Sequence, residues 1–209
     1  LLTEKRVGIA CCVLLGLTLL PVAALSVYNH PCSDDYSYGL YVAQAVRSGG
    51  SLWEVLAAAA KETAETYLDW QGTFSAVFLM ALQPAAFGRL LRPDPLADGG
   101  LSGVLHLFLL ERGLRAPPGH EPLGLADGLL RLSFFWCTLP RPFEGFFWYN
   151  GSLFYTFFHS LMLCALTFAL KFLRAPTLGR SLACGLAAGA LCFFLGGGNY
   201  PTACSPVCC

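Results

Sequence analysis

Residues 152–173 read SLFYTFFHSLMLCALTFALKFL, an apolar run with no ionised side chain before Lys171. It reaches the ~20 residues that a helix needs to cross a bilayer. Working outward, residues 7–27 form a second long run, VGIACCVLLGLTLLPVAALSV, with Lys5 and Arg6 just before it. A signal peptide is the competing reading there, because Ala23-Ala24-Leu25-Ser26 looks like a cleavage site. Its apolar region would be only ~7–15 residues long, so a transmembrane helix fits better. Shorter apolar segments lie at 72–87, 101–110, 125–139 and 182–195.

Composition agrees. Of 209 residues, 56% are hydrophobic and 12% charged, against roughly 25% charged in a typical soluble domain. The 13 basic and 13 acidic residues cancel, so no net field argues for nucleic acid as a partner. Counting Lys and Arg by side places Lys5 and Arg6, Arg112 and Arg115, and Lys171, Arg174 and Arg180 together if residues 72–87 do not cross. The expected fold is therefore an all-α, polytopic transmembrane helical bundle forming a single membrane domain. Five crossings are expected near 7–27, 98–112, 125–140, 152–173 and 180–195, with the amino terminus cytoplasmic. Asp127 and Arg131 interrupt the third of these.

Residues 28–71 are too polar to cross and carry their own helix signals. Ser33, Asp34 or Asp35 offers a cap for a helix to about Val46, Gly49-Gly50 offers its end, and Ser51-Leu52-Trp53-Glu54 opens a second helix as a capping box. In that second helix Leu52, Val55, Leu56, Ala59, Thr63 and Tyr67 recur near helical period, opposite Glu54, Lys61, Glu62, Glu65 and Asp69. Such an amphipathic juxtamembrane helix lies on the membrane surface or on other helices.

The expected topology gathers four motifs on the external face: Asp34-Asp35-Tyr36, Trp70-Gln71-Gly72, Trp148-Tyr149-Asn150 and the glycine run before Asn199-Tyr200. An ionised Asp can act as a general base or hold a cation, whereas Ser and Asp also cap helices, which is the commoner use. Adjacent side chains diverge in helix and strand, so the two carboxylates need not share a task. Trp70, Trp148, Tyr149 and Tyr200 suit stacking on a sugar, and equally suit the aromatic belt of any membrane protein. The glycine run can present N–H groups to a phosphate or simply end a helix. His159 and Tyr155 read as an interhelical hydrogen bond. Asn150-Gly151-Ser152 matches a glycosylation acceptor, a pattern common by chance.

Five of the ten cysteines, Cys11, Cys12, Cys164, Cys184 and Cys192, sit in apolar runs as small hydrophobes. Cys204, Cys208 and Cys209 cluster without a second ligand pair or histidine, so no metal site and no cofactor is expected. Residues 201–209 form an anomalous tail, with Pro201 and Pro206 breaking the apolar pattern, and the chain begins with Leu1. These features lead to the expectation of a partial gene product.

The order of a first membrane helix, an acidic pair in an outer helical loop and then a Trp-x-Gly motif resembles the beginning of GT-C-type membrane glycosyltransferases. The runs HPCSDDYSYG, DWQGTFSAVFLMALQP, FFWYNGSLFYTFFHSLML and GGGNY are similar to an uncharacterised bacterial family of multi-pass proteins with this layout. The resemblance covers residues 29–200 apart from 89–122. It implies a bacterial inner-membrane enzyme moving a sugar from a polyprenyl-phosphate carrier to an envelope acceptor, with Asp34 or Asp35 catalytic. It also implies Tyr36, Trp70, Gln71, Trp148, Tyr149, Asn150, Asn199 and Tyr200 as substrate-binding residues. Thr73 stands where such enzymes often carry an arginine, so a phosphate-facing cation is missing there. Divalent-metal dependence is not legible in the residues. The alternative is a non-enzymatic protein that binds or moves a lipid or solute.

Overall fold

A computed structural model of the chain describes residues 4–26, 28, 30–88, 141 and 143–204. Among these, every regular element is helical. The crossings expected near 98–112 and 125–140, with Arg112, Arg115, Asp127 and Arg131, lie outside the described residues, as do Cys208 and Cys209. Two described helices are long and apolar enough to cross a membrane, Tyr149–Leu173 and Leu178–Gly196.

The first helix, α1, runs over Glu4–Ser26 with Pro21 inside it. Cys11 packs between Val7 and Leu15 on its own surface, while Ile9, Val13, Leu17 and Leu20 face outward. The polar loop then folds into α2 (Asp35–Tyr38), α3 (Leu40–Arg47) and α4 (Leu52–Asp69). Gly49 ends α3 with φ at 73°, and the Gly50 N–H reaches back to the Ala45 carbonyl at 2.9 Å, the closure a left-handed residue makes possible. The capping box at the start of α4 is complete, with Ser51 and Glu54 each satisfying a backbone N–H of the other.

Residues 72–87 form α5 (Phe74–Ala81) followed by a 3₁₀ turn, Pro84–Phe87. The eight residues of α5 span about 12 Å, well short of a ~30 Å hydrocarbon core. Ser75, Ala76, Val77, Met80 and Ala81 are all buried. α5 joins two apolar cores: Ala76 and Met80 pack with Leu153, Phe158, Met162, Ala165 and Leu195, whereas Ala81 packs with Val42, Val55, Ala59 and Ala86.

The helix α6 (Tyr149–Leu173) contains a π-helical stretch at Ser152–Phe157. A preceding π turn, Phe143–Phe147, leads into it, and the two are tied by the Thr156 hydroxyl donating to the Gly145 carbonyl at 2.8 Å. After a short turn the chain returns as α7 (Leu178–Gly196), which packs along α6. A last turn, α8, covers Tyr200–Cys204. The outer side of α7 is bare, with Leu182, Leu186 and Phe193 all more than half exposed.

The glycine run that closes α7 has a packing role. A Cβ on Gly197 would lie 2.6 Å from the Phe74 ring, and one on Gly198 would fall into the Phe158 ring. Their N–H groups are already given to Phe194 and Leu195 carbonyls, and the Gly197 carbonyl receives Ser75 and Ala76. Of the two readings of this run, phosphate nest or helix end, these bonds are those of a helix end. Gly196, by contrast, has open space around its Cα. Gly198→Ala should therefore lower stability by about 1–3 kcal/mol through overpacking, read as a fall in the thermal midpoint in detergent, while Gly196→Ala should leave it level or slightly raised. Equal effects at the two positions would contradict this packing.

Candidate functional site

Before α2 the backbone makes an uncommon turn. Ser33 adopts φ of 52°, a left-handed conformation that non-glycine residues take rarely. The turn is closed by the Asp35 N–H bonding the Cys32 carbonyl at 3.1 Å and by the Asp35 carboxylate accepting the Cys32 N–H at 3.0 Å. Asp34 occupies the cap position of α2 but makes no side-chain cap bond. The capping reading of the acidic pair is corrected accordingly: both side chains are committed elsewhere.

They meet at the head of α6. Asp35 accepts the backbone N–H of Asn150 at 3.1 Å, and Asp34 accepts the Asn150 carboxamide at 3.1 Å and the Trp148 indole N–H at 3.0 Å. The adjacent carboxylates converge in space here, each on different donors. The strained turn aims both at one residue more than a hundred positions away. A network bridging such distant segments fixes the loop against the helix, since a carboxylate accepting N–H donors forms the stronger class of hydrogen bond.

The two carboxylates differ in access. Asp35 is 2% exposed, with each of its oxygens on a backbone N–H. Asp34 is half-buried, with both of its bonds on the same oxygen, leaving Oδ2 unoccupied by any described residue. Beneath the pair, the Gln83 carboxamide donates to the Asp35 carbonyl, and Gly39 is what lets it approach, since a Cβ there would lie 2.6 Å from Gln83 Nε2. Gln83 Oε1 and Asn150 Oδ1 are buried without a hydrogen-bond partner among the described residues.

The other expected residues divide. Tyr149 contributes a backbone hydrogen bond to Asp35. Gln71 is linked to the cluster by its carboxamide, which reaches the Tyr38 hydroxyl at 3.5 Å. Tyr200 lies on the far side of that linkage, its hydroxyl accepting the Gly72 N–H at 3.0 Å. Asn199 is 4% exposed and donates to the Phe154 carbonyl at 3.2 Å. Tyr36 and Trp70 project outward, 64% and 80% exposed. The four motifs are thus chained together, yet Asn150 and Asn199 face inward as struts and present no surface to a ligand. The burial of Asn150, at 1% exposed, also closes it to glycosylation in the folded chain. Sequence reading passed over Cys32, Tyr38 and Gln83; a lone Gln at the end of an apolar run was the available signal for the last.

Burial raises the Asp35 carboxyl above its ordinary value, and the neighbouring Asp34 charge adds to this, opposed by the N–H groups of Cys32, Asn150 and Tyr149. Burial likewise raises the Tyr38 hydroxyl, again helped by Asp34. Among the described residues no lysine or arginine contributes to the balance at Asp35. Among the described residues no three His, Cys, Asp or Glu side chains gather as a metal site. What remains is an oriented carboxylate, Asp34, with one oxygen that no described residue bonds, the kind of group that can take a proton from a hydroxyl or hold a cation.

No family model, no curated protein and no solved structure matches this chain.

A carboxyl whose folded pKa is raised contributes stability below its unfolded value and loses that contribution as pH climbs through the folded value. Asn at position 35 cannot titrate. The stability of the wild type relative to Asp35→Asn should therefore fall as pH rises from below 3.8 through the raised value, and then level off. Denaturant unfolding of both proteins in detergent across that range measures it, and a difference independent of pH would contradict the assignment.

Proposed function

We propose that this chain is a multi-pass protein of a bacterial inner membrane, amino terminus cytoplasmic, that transfers a sugar from a polyprenyl-phosphate carrier to an envelope acceptor in the manner of GT-C-type glycosyltransferases. Asp34 is the general base, and Asp35 positions it. The observation that carries this reading is the pairing of unequal carboxylates: one sealed onto backbone N–H groups, the other oriented by Trp148 and Asn150 with Oδ2 left open by the described residues. A base needs that combination of fixed direction and access to the hydroxyl proton it removes.

The steps follow from that geometry. The acceptor hydroxyl approaches Asp34 Oδ2 and gives up its proton as its oxygen attacks the anomeric carbon. The bond from that carbon to the carrier phosphate breaks, and the phosphate leaves with the electron pair. Trp148 and Asn150 hold Oδ1 throughout, so the carboxylate does not rotate away. The rings of Tyr36 and Trp70 are exposed, which suits stacking on a sugar or headgroup.

A non-enzymatic lipid or solute carrier is the second reading, favoured by α5, a short buried helix that carries Ser75 and is flanked by buried Thr73 and Gln83, as short, interrupted helices flank the sites of transporters. Membranes carrying the chain, incubated with radiolabelled polyprenyl-phosphate sugars and envelope acceptor, separate the two. Asp34→Asn should reduce transfer by ~10²–10⁴-fold, the usual contribution of a general base. Undiminished transfer with both Asp34→Asn and Asp35→Asn in place defeats the catalytic assignment, and carrier retention without transfer in the wild type favours the second reading.

A further inference from the structure

Helix α4 carries apolar residues on two faces, and only one of them is used. Val55, Ala59 and Thr66 are buried against α3 and α5. At helical steps around the cylinder, Trp53, Ala57, Ala60, Ala64 and Leu68 form a second stripe, every member of it exposed, with Trp53 at 78% and Leu68 at 80%. The charged residues Glu54, Lys61 and Glu65 fall in the sector between the two. The stripe continues into an apolar groove of about 520 Å³ whose walls include Ala64, Leu68, Phe74, Phe78 and Phe194.

The chemistry of the groove identifies what fills it. Its wall also holds Thr63 and Ser75, and both hydroxyls are spent on the protein's own backbone, Thr63 on Ala59 at 2.8 Å and Ser75 on Phe194 at 2.5 Å. Of the three hydroxyl side chains in the wall these two are satisfied internally and the third belongs to Tyr67, which is 55% exposed, so the lining offers an occupant chiefly apolar contact. The groove is also continuous with α7: Phe194 forms part of the wall, and Phe193 rests on Phe74 with ring centroids 5.6 Å apart before the bare outer side of α7 begins. Exposed Trp53, Tyr67 and Trp70 border this surface, as amphipathic rings border the boundary between hydrocarbon and water.

We propose that α4 is an in-plane membrane helix seated through its Trp53–Leu68 stripe, with lipid hydrocarbon from the surrounding bilayer filling the groove between α4, α5 and the end of α7. The charged sector then faces water and the Val55 face holds the protein core, so each of the three sectors has its own solvent. This rests on α7 lying in a bilayer and is independent of transferase activity. Its consequence is positional: the acidic turn, tied to α3 and α5 and through them to α4, stands at a set depth near the membrane surface.

The test is photo-crosslinking of the full chain in vesicles of equal parts phosphatidylethanolamine and phosphatidylglycerol, with p-benzoylphenylalanine placed singly at Ala60, Ala64, Lys61, Glu65 or, as a membrane reference, Phe193. The expected result is phospholipid adducts from Ala60, Ala64 and Phe193 and none from Lys61 or Glu65. Adducts at Phe193 but not at Ala60 or Ala64 would overturn the proposal while leaving the membrane reading intact, and absence at all three would overturn both. Crosslinks from Ala64 to residues 89–140 or to a second copy would also overturn it, because the face would then be covered by protein.

Discussion

Asn150 is the residue on which the arrangement of the polar loop depends. Its backbone N–H goes to Asp35 and its carboxamide to Asp34, so the head of a long apolar helix is fastened to a loop more than a hundred residues away in sequence. The charge of Asp34 beside it raises the cost of ionising Asp35. Donors supplied by Asn150 and Cys32 offset that cost. Without them, a carboxyl buried as deeply as Asp35 would lack the hydrogen bonds that make such burial tolerable. The turn at Ser33, held in a left-handed conformation, is local strain consistent with this demand on direction.

The second constraint is the short helix α5. It is too short to cross a bilayer, and it lies between two cores that would otherwise be separate. Its first N–H groups have no partner within the helix, and the Gly197 carbonyl supplies one to Ser75 and to Ala76. The carbonyl can approach only because Gly197 and Gly198 lack side chains that would meet Phe74 and Phe158. Close packing of the α7 end, burial of α5 and placement of Gln83 under the acidic turn are therefore one connected set of contacts.

What was legible in the sequence was what is local. The Gly49-Gly50 stop and the Ser51–Glu54 box act within a turn of chain, and both appear as the residues dictate. The helix over 152–173 follows from apolar length alone, and the shorter run at 182–195 lies within a helix that extends to Leu178–Gly196. The clamp was legible only as a list of motifs on one side, because the partner of each carboxylate is set by tertiary contact and by an unusual φ at Ser33. Helix α4 was legible in part: of the residues read as its apolar face, set on the membrane surface or on other helices, Val55 and Ala59 are buried while Leu52 and Tyr67 are 70% and 55% exposed, because the helix carries apolar residues on two faces. The burial of Asn150 was not legible, because buried and exposed asparagines are identical in sequence.

Coupling between the acidic turn and the head of α6 holds the two segments together, and a double-mutant cycle measures it directly. Asp34→Ala, Asn150→Ala and the double variant, unfolded by denaturant in detergent, give the energy that the two side chains share. Residues bonded in one network show coupling of roughly 0.5–3 kcal/mol, and a value of about 1 kcal/mol or more is expected for this pair. Additivity within ~0.3–0.5 kcal/mol, the behaviour of independent sites, would contradict it.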